Sequence, residues 1–367
     1  MWMHCASLGE FEQGRPILEA FRTEHPNYRV LLTFFSPSGF EIRKDYEQAD
    51  EVYYLPLDTR KNASRFIKIV QPQIAIFVKY EFWYHFLTQL KQHKIPTLLV
   101  SAVFRPSQLF FKWYGALHRK MLHCFQHIFV QDQASERLLK NKLKFKAVTI
   151  AGDSRVDRVV QIASKNKALP VVDTFAKGKQ IFVGGSTWPA DENILCDFIN
   201  SSAPELKFII APHEIGAAHL KSIEQKINQT TVRYSEVDKA DLSKIKVLII
   251  DNIGLLSSLY RYARIAYIGG GFGKGIHNLL EPAAFGIPVI FGPAHQQFTE
   301  ANILKNEGGG FAIENKSEFF QRIEFLADSD NYKKACAASQ AFMLHHKGAT
   351  DIVLKYLSSL KVNWSVD

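Results

Sequence analysis

The length, composition and charge of the chain exclude several classes of protein at the outset. Its 367 residues are too many for one ordinary α/β domain and about right for two, and a charged fraction of 22% argues against disorder. The formal net charge of +9 predicts a partner that carries negative charge, such as nucleic acid, anionic lipid head groups or phosphorylated substrates. The basic residues are interleaved with large apolar ones, which is typical of a membrane-facing surface and equally of a solvated helix.

The cysteines and the start of the sequence indicate the cellular setting. The four cysteines lie far apart without the C-x-x-C spacing of zinc ribbons or dithiol redox motifs, which fits a reducing compartment. No run approaches the about 18 apolar residues of a membrane span, and the first residues lack the basic-then-apolar layout of a signal peptide. Because residues 2–6 already have the pattern of a strand, we expect the start to be a truncation point.

Short β-rich runs alternate with helical patterns from end to end, which predicts parallel sheets covered by crossover helices. Strands are expected at residues 2–6, 29–35, 51–57, 73–78, 97–102, 127–131 and 148–151, and in a second series at 180–185, 207–211, 246–250, 265–269 and 288–291. Residues 159–174 begin as a helix and break at Leu169-Pro170, which makes them the best linker candidate. After Lys316 we expect helices as far as Leu360, with a break near Lys347-Gly348.

The first motif, Ala6-Ser7-Leu8-Gly9-Glu10, follows the first predicted strand and precedes a helix expected to start near Phe11. It places Glu10 at the carboxyl end of a strand, where open α/β sheets bind ligands. On position alone, such a carboxylate is more often a cap that responds to the helix dipole. Gly9 favours a ligand site, because glycine lets another molecule approach the backbone closely. In that case Glu10 is suited to act as a general base toward an attacking hydroxyl.

The second half carries a corresponding turn, Val183-Gly184-Gly185-Ser186-Thr187. Exposed amides and two hydroxyls at a helix N-terminus suit a phosphate or a sugar carboxylate. The alternative is a simple N-cap at Ser186 or Thr187.

Residues 267–293 form the most informative segment, with five glycines between 269 and 275. It is not a P-loop, because Lys274 is followed by glycine, and no suitable acidic residue follows to complete a dinucleotide fingerprint. A helix expected to begin near Asn278 puts Asn278 and Glu281 on one face. Glu281 can accept both hydroxyls of a ribose, and the alternative is a buried carboxylate that caps the glycine loop.

Other polar residues follow further predicted strands. His213 and Glu214 follow one of them, but no H-E-x-x-H motif is present, so we expect no metal site. Glu81 opens a helix after the fourth strand, where a structural helix charge is a sufficient account. Lys79 and Arg105 are placed to receive acceptor phosphates. The aromatic and basic run 109–114 is either core or a surface that contacts acyl chains.

In this order, the motifs resemble those of the transferases of 3-deoxy-D-manno-octulosonic acid (Kdo) in lipopolysaccharide assembly. The likeness runs over nearly the whole chain. Its elements are Ala6-Ser7-Leu8-Gly9-Glu10, Glu81-Phe82-Trp83, Ser101-Ala102, Val130-Gln131-Asp132, Gly184-Gly185-Ser186-Thr187, 251–256 and 267–293.

The resemblance implies the α/β GT-B fold, in which two Rossmann-like, doubly wound domains face each other across a cleft. Residues 1–165 would bind a lipid A precursor with two phosphates, residues 175–345 would bind CMP-Kdo, and residues 346–367 would form a helix packed back on the first domain. Glu10 would confront Asn278 and Glu281 across the cleft.

The implied reaction is an inverting transfer without metal or cofactor, in which Glu10 deprotonates the acceptor hydroxyl. The enzyme would work at the cytoplasmic face of the inner membrane, against an anionic surface, either peripherally or anchored through a missing N-terminal segment. The implied donor-binding residues are Ser186, Thr187, Pro212, His213, Ile253, Gly254, Gly270, Gly271, Asn278 and Glu281, and the implied acceptor-binding residues are Gly9, Arg15, Lys79, Glu81 and Arg105.

The sequence departs from the family pattern in three places. The family usually carries an arginine in the motif that here is Pro212-His213-Glu214, and often a glutamate where Lys79 stands. The usual apolar N-terminal anchor is also missing.

Two alternatives therefore stay open. One is another GT-B enzyme, such as a different lipid-directed transferase or a nucleotide-sugar 2-epimerase. The other is a basic nucleic-acid-binding protein, although RNP aromatics, zinc spacing and a helix-turn-helix are absent from the sequence, so we expect no nucleic acid partner.

Overall fold

The computed structural model describes residues 1–165 and 168–360, and the chain divides into two compact units. The first unit contains Met1–Arg158 and the described residues from His346 onward, and the second is Val159–His345. The expected linker 159–174 includes residues 166–167, and the expected terminal helix region 346–367 includes residues 361–367, which lie outside the described residues. The domain boundaries given above therefore stay a prediction.

The described part of the first unit contains a seven-stranded parallel sheet in the order β3-β2-β1-β4-β5-β6-β7. Its strands are β1 (Trp2–Cys5), β2 (Leu31–Phe34), β3 (Glu51–Tyr54), β4 (Ala75–Val78), β5 (Thr97–Ala102), β6 (His127–Val130) and β7 (Val148–Ile150). Its helices are α1 (Leu8–Glu24), α2 (Pro37–Arg43), α3 (Arg60–Val70), α4 (Tyr84–Gln92), α5 (Ala116–Leu122), α6 (Gln133–Arg137) and α7 (Ser154–Lys165), which runs across the division between the units.

The central strands of this sheet are buried on both faces, as expected for short apolar runs covered by crossover helices. One core lies around Trp2, Phe77 and Phe86, and a second lies around Phe11 and Phe21. The last described helix, α16 (Ala349–Ser359), adds three apolar side chains to the second core and so belongs to the first unit, although it follows the second unit in sequence. These side chains are Val353, Leu354 and Leu357.

The described part of the second unit contains another seven-stranded parallel sheet, in the order β10-β11-β9-β8-β12-β13-β14. Its strands are β8 (Gln180–Thr187), β9 (Leu206–Pro212), β10 (Thr231–Arg233), β11 (Val247–Ile249), β12 (Ala263–Ile268), β13 (Val289–Phe291) and β14 (Gly310–Ala312). Its helices are α8 (Pro170–Ala176), α9 (Pro189–Ser201), α10 (Ala217–Lys226), α11 (Leu256–Leu259), α12 (Leu280–Ala283), α13 (Thr299–Glu307), α14 (Lys316–Ala327) and α15 (Ser329–His346).

The strand order of each sheet reverses at one central pair of strands. In the first sheet this pair is β1 and β4, and in the second it is β8 and β12. Open α/β sheets bind ligands outside the carboxyl ends of the strands at such a switch point. We therefore expect the ligand site of each unit to include residues that directly follow these four strands.

Candidate functional site

Glu10 lies one turn into α1, directly after the switch-point strand β1. Its Oε2 accepts a hydrogen bond from the backbone N–H of Ser7 at 3.0 Å and another from the Ser7 hydroxyl. Helix α1 therefore begins at Leu8 and not near Phe11, because Ser7 and Glu10 form its capping box. Within the described residues, Oε1 of the half-buried Glu10 has no hydrogen-bond partner. The same carboxylate thus caps the helix and keeps one oxygen uncommitted.

Glu81 follows β4, the other strand of this switch point, and is 9% exposed. Its Oε2 accepts hydrogen bonds from Trp83 Nε1 at 2.6 Å and from His4 Nε2, which lies at 3.2 Å. Helix α4 begins only at Tyr84, so Glu81 precedes it and is not a charge of its first turn. The expectation that Glu81 is a structural charge at the start of a helix is therefore wrong. Its carboxylate is instead anchored by the ring N–H groups of Trp83 and His4.

Tyr80, between Lys79 and Glu81, lies among the charged residues of this edge, and sequence reasoning did not select it. Burial raises the pKa of its phenol, the charge of Arg105 lowers it, and the carboxylates of Asp132 and Glu10 raise it. The Lys79 ammonium lies 5.5 Å from the Tyr80 ring centre. The first unit therefore collects Glu10, Tyr80 and Arg105 around the ends of its strands.

Two further predicted acceptor residues have different surroundings. Gly9 is exposed beside Glu10. Arg15 lies one and a half turns further along α1, where its Nε contacts Glu19 Oε1 at 2.6 Å and its guanidinium lies over the Tyr46 ring. Arg15 is thus engaged in packing α1 against its neighbours, and its role in acceptor binding stays a prediction.

Three residues with left-handed backbone conformations stand at strand ends of the two candidate sites. They are Lys79 after β4 (φ 67°), Ser101 within the end of β5 (φ 54°) and Ser186 near the end of β8 (φ 52°). Such conformations cost residues other than glycine about 1–3 kcal/mol and concentrate at ligand and catalytic sites. Their positions independently support sites at both sheet edges.

In the second unit, the turn after β8 is built differently from the sequence expectation. Strand β8 extends to Thr187 and Trp188 is the N-cap of α9, so neither Ser186 nor Thr187 caps the helix. Thr187 is fully buried and its hydroxyl donates to Glu192 Oε1 at 3.1 Å. Thr187 therefore exposes neither its hydroxyl nor its backbone to a donor, contrary to the expectation, whereas Ser186 is partly exposed.

Asp191, which sequence reasoning missed, holds this turn and the glycine-rich turn together. It is fully buried, and its carboxylate accepts from the backbone N–H of Trp188 at 2.9 Å, from the N–H of Gly270 at 2.8 Å and from the Tyr267 hydroxyl at 2.7 Å. Burial, followed by the charge of Asp191, raises the pKa of Tyr267. Asp191 therefore joins the ends of β8 and β12, and Gly271, next along the turn, is buried as well.

Asn278 and Glu281 come together as their spacing predicted. Asn278 Nδ2 donates to Glu281 Oε1 at 3.1 Å, and Asn278 Oδ1 accepts from the backbone N–H of Leu280. Helix α12 begins at Leu280, two residues later than expected, because Asn278 turns the chain into it. Within the glycine loop, the N–H of Gly270 is received by Asp191. The binding role of Glu281 and its alternative as a cap of this loop both stay predictions.

Three rings lie together beside this turn. Trp188 Nε1 donates to His277 Nε2 at 2.9 Å, and the two ring planes differ by only 8°. The exposed His213 stacks on both rings, with centroid distances of 4.6 Å to Trp188 and 4.5 Å to His277. Because Nε2 of His277 accepts a hydrogen bond, its ring proton lies on Nδ1. Trp188 and His277 were not predicted.

The remaining predicted donor residues differ in exposure. Pro212 is buried at the end of β9, whereas the Ile253 side chain is 89% exposed and Gly254 beside it has a φ of 99°. Among the described residues, no three His, Cys, Asp or Glu side chains are grouped as metal ligands would be. No described helix combines the length and the apolar character needed to cross a bilayer.

Comparison with known proteins identifies the family. Residues 1–158 match the profile of the 3-deoxy-D-manno-octulosonic-acid transferase (kdotransferase) family. A 3-deoxy-D-manno-octulosonic acid transferase of Aquifex aeolicus is 32% identical over 332 residues, which cover 89% of this chain and 85% of the relative. One from Haemophilus influenzae is 24% identical over 97% of this chain and 86% of the relative.

Among solved structures, UDP-GlcNAc 2-epimerase from Neisseria meningitidis superposes with a TM-score of 0.68 at 15% identity, over 98% of this chain and 99% of that one. At this identity the likeness concerns the fold alone, and it confirms the expected GT-B pair of Rossmann-like domains. The profile match and the relative from Aquifex aeolicus together show that the chain belongs to the 3-deoxy-D-manno-octulosonic acid transferase family of glycosyltransferases.

Proposed function

We propose that this protein transfers Kdo from CMP-Kdo to a phosphorylated lipid A precursor, by an inverting reaction that needs no metal and uses Glu10 as general base. The observation that carries the proposal is the position of Glu10. It follows the switch-point strand β1, and one oxygen of its carboxylate is uncommitted among the described residues. That oxygen is available to a hydroxyl, while the other stays anchored to Ser7.

The proposed step is a single displacement at the anomeric carbon of Kdo. The acceptor hydroxyl oxygen attacks that carbon, Glu10 takes the hydroxyl proton, and CMP leaves with the bonding electron pair on its phosphate. A positioned base contributes a factor of about 10²–10⁴ to such a step. Anchoring through Ser7 supports this role, because a carboxylate held in place needs no reorganisation when the hydroxyl arrives.

The donor half of the proposal rests on the second unit. Asn278 donates to Glu281 Oε1, and a carboxylate oriented in this way is suited to the hydroxyls of the CMP ribose. The partly exposed Ser186 and the glycine turn held by Asp191 are suited to the phosphate and to the Kdo carboxylate, through hydroxyl and amide donors. Exposed His213, Ile253 and Gly254 lie on loops that follow neighbouring strands of the same sheet.

The acceptor half rests on the first unit. Lys79 and the exposed Arg105 are the cations proposed for the two acceptor phosphates. Glu81 would accept hydrogen bonds from acceptor sugar hydroxyls. Both phosphates lie on a lipid, so the enzyme would also meet the cytoplasmic surface of the inner membrane.

A loop of the first unit has the composition and exposure of a membrane contact. Arg119 donates to the backbone carbonyls of Phe110, Lys112 and Trp113, which fixes the loop in place. The Trp113 side chain is 90% exposed, and three other large apolar side chains of this region are exposed as well. They are Leu109, Tyr114 and Leu117. Aromatic and basic residues in one surface suit the boundary of an anionic bilayer.

The proposed function is tested by mass spectrometry of a lipid A precursor incubated with the protein and CMP-Kdo, in the presence of EDTA. A mass gain of one or more Kdo units is expected, and Glu10→Gln protein should give about 10²–10⁴-fold less product in the same time. Failure of the wild-type protein to modify the lipid, or a gain that EDTA abolishes, would contradict the reaction as proposed.

The GT-B fold is shared with UDP-GlcNAc 2-epimerases, so nucleotide preference provides an independent test. Calorimetric titration should give tighter binding of CMP than of UDP. A preference for UDP, with turnover of UDP-GlcNAc in the absence of acceptor, would favour the epimerase alternative.

Membrane contact is tested by sedimentation with vesicles of phosphatidylglycerol and phosphatidylcholine. Replacement of both Trp113 and Tyr114 by serine should reduce vesicle binding. The matched control is Leu344→Ser, which removes an exposed apolar side chain of the second unit. Equal binding by the two variants would exclude the loop as the contact.

A further inference from the structure

A chain of hydrogen-bonded side chains runs beneath Glu81 in the first unit. His4 lies in the middle of β1 and is fully buried, although histidine is a polar residue that is costly to bury without partners. Its Nδ1 lies 2.9 Å from Thr33 Oγ1 on β2, and its Nε2 lies 3.2 Å from Glu81 Oε2 beyond β4. Both ring nitrogens therefore have partners, and one of them is the carboxylate of the candidate acceptor site.

The register of the sheet produces this arrangement. His4 pairs with Thr33 on one side and with Phe77 on the other, so its ring stands between two neighbouring strands. Trp2 lies two residues earlier, on the same face of β1, and its Nε1 donates to Thr33 Oγ1 at 2.8 Å. Thr33 is fully buried too.

The donors and acceptors of this chain determine where the proton of His4 lies. Trp2 Nε1 can only donate, so it occupies a lone pair of Thr33 Oγ1. The carboxylate of Glu81 can only accept, so the His4 Nε2 that contacts it is the donor. In the neutral ring Nδ1 is then an acceptor, and the Thr33 hydroxyl at 2.9 Å is its donor.

Glu81 receives this N–H and that of Trp83 on the same oxygen, Oε2. Within the described residues, Oε1 has no hydrogen-bond partner, and the side chain keeps 11% of its surface exposed. Oε1 is not among the buried atoms that lack a partner, so it is the oxygen that reaches solvent at the edge of the sheet. Oε2 is thus held by two N–H groups, and Oε1 is accessible to a ligand.

We propose that His4 is a positioning residue: its Nε2–H, oriented by Thr33, holds Glu81 so that Oε1 accepts a hydrogen bond from a sugar hydroxyl of the acceptor. The proposal rests on the acceptor role of Glu81 proposed above. Charge-assisted hydrogen bonds of this kind contribute about 1.5–3 kcal/mol, which corresponds to a factor of about 10–150. His4 touches neither substrate and acts only through Glu81.

Two neutral substitutions at His4 separate positioning from mere packing. The amide nitrogen of His4→Gln can occupy the place of Nε2 and donate to Glu81, whereas that of His4→Asn reaches only the place of Nδ1. We expect His4→Gln to keep kcat/KM for the acceptor within about threefold of wild type, and His4→Asn to lose about 10–100-fold. The affinity for CMP, which the second unit is proposed to bind, should not change in either variant.

A spectroscopic measurement tests the arrangement without activity. In protein labelled with ¹⁵N at tryptophan, the Trp83 indole signal, assigned through Trp83→Phe, should shift in His4→Asn and stay near its wild-type position in His4→Gln. In wild-type protein labelled at histidine, the ¹⁵N shifts should show His4 with its proton on Nε2. This last measurement needs no variant, so it holds even where a substitution prevents folding.

The proposal is overturned by equal kinetics of the two folded His4 variants, by a Trp83 signal indifferent to His4→Asn, or by a proton on Nδ1. Absence of transferase activity in wild-type protein would refute the proposed function and with it the substrate role of Oε1. The NMR measurements separate that outcome from a failure of the hydrogen-bond chain itself, because they are made without substrate.

Discussion

The carboxylate of Glu10 and the backbone N–H of Ser7 are joined by a hydrogen bond of 3.0 Å across the first turn of α1. The cap leaves room for the proposed role of Glu10 as a base, because both contacts of Ser7 are to Oε2. It also means that a loss of activity on mutation must be separated from a loss of the cap.

Glu10→Gln makes that separation. The amide oxygen can still accept from Ser7, so we expect stability close to wild type, unchanged CMP affinity and a fall in turnover of about 10²–10⁴-fold. Glu10→Ala should lose turnover equally and, in addition, about 1 kcal/mol of stability through the lost cap. Turnover is measured by Kdo transfer and stability by urea unfolding. Glu24→Gln, the same change at the other end of α1, is the control, and wild-type turnover in Glu10→Gln would refute the base assignment.

Asp191→Ala should destabilise the second unit and weaken donor binding together. Three donors would lose their acceptor, and two of these hydrogen bonds are buried. Each buried donor left unsatisfied costs about 1–3 kcal/mol, so we expect a loss of about 2 kcal/mol or more in urea unfolding. Asp197→Ala is the matched control in the same helix. Its carboxylate makes an exposed ion pair with Lys316, which contributes about 0–1 kcal/mol. Similar losses in the two variants would contradict the role assigned to Asp191.

The sequence predicted the central strands well and the sheet edges poorly. Buried strands such as β4 and β5 are apolar along their whole length and are bounded by clear breaks. Strands β10 and β14 were missed because each has three residues, only one of them buried, and no periodicity that separates them from loops. Both are outermost strands of the second sheet, held by one neighbour only.

The candidate sites were predicted as far as their residues are close in sequence. Asn278 and Glu281 are three residues apart, and their contact was predicted from that spacing, although Asn278 makes it from the turn before α12 and not from a helix face. His4 and Glu81 are 77 residues apart, and Trp188 and His277 are 89 apart, so their contacts depend on which strands become neighbours. No local pattern records that order. The positions of Trp188 and His277, beside motifs that were recognised, were the only available signal.

Gly269→Ala tests the close approach of the two turns in the second unit. A Cβ at Gly269 would stand 2.2 Å from the carbonyl oxygen of Ser186 and 2.6 Å from the Cα of Thr187, so backbone would have to move. We expect a loss of about 2 kcal/mol or more and weaker CMP binding. Gly273→Ala is the control, because its nearest neighbour atom would be 3.6 Å away, and it should change stability by about 0.5 kcal/mol or less. Stability is followed by urea unfolding and binding by calorimetry, and equal effects would contradict the predicted crowding.

His277 should make the second unit sensitive to acid. Burial, followed by the charge of His213, lowers the pKa of His277 below its ordinary value of about 6.5, although Asp191 opposes this. The unfolded chain therefore binds a proton at His277 at a higher pH than the folded protein does. Between about pH 6.5 and the lower pKa of the folded protein, acidification therefore decreases the free energy of unfolding. Above about pH 6.5, His277 does not make this free energy depend on pH. Protonation of Nε2 would also remove the acceptor of Trp188.

In His277→Gln, the amide oxygen can accept that N–H and does not titrate. The free energy of urea unfolding, measured between about pH 5 and 8, should fall less steeply with acid in this variant than in wild type. Parallel curves for the two proteins would show that His277 keeps its ordinary affinity for protons.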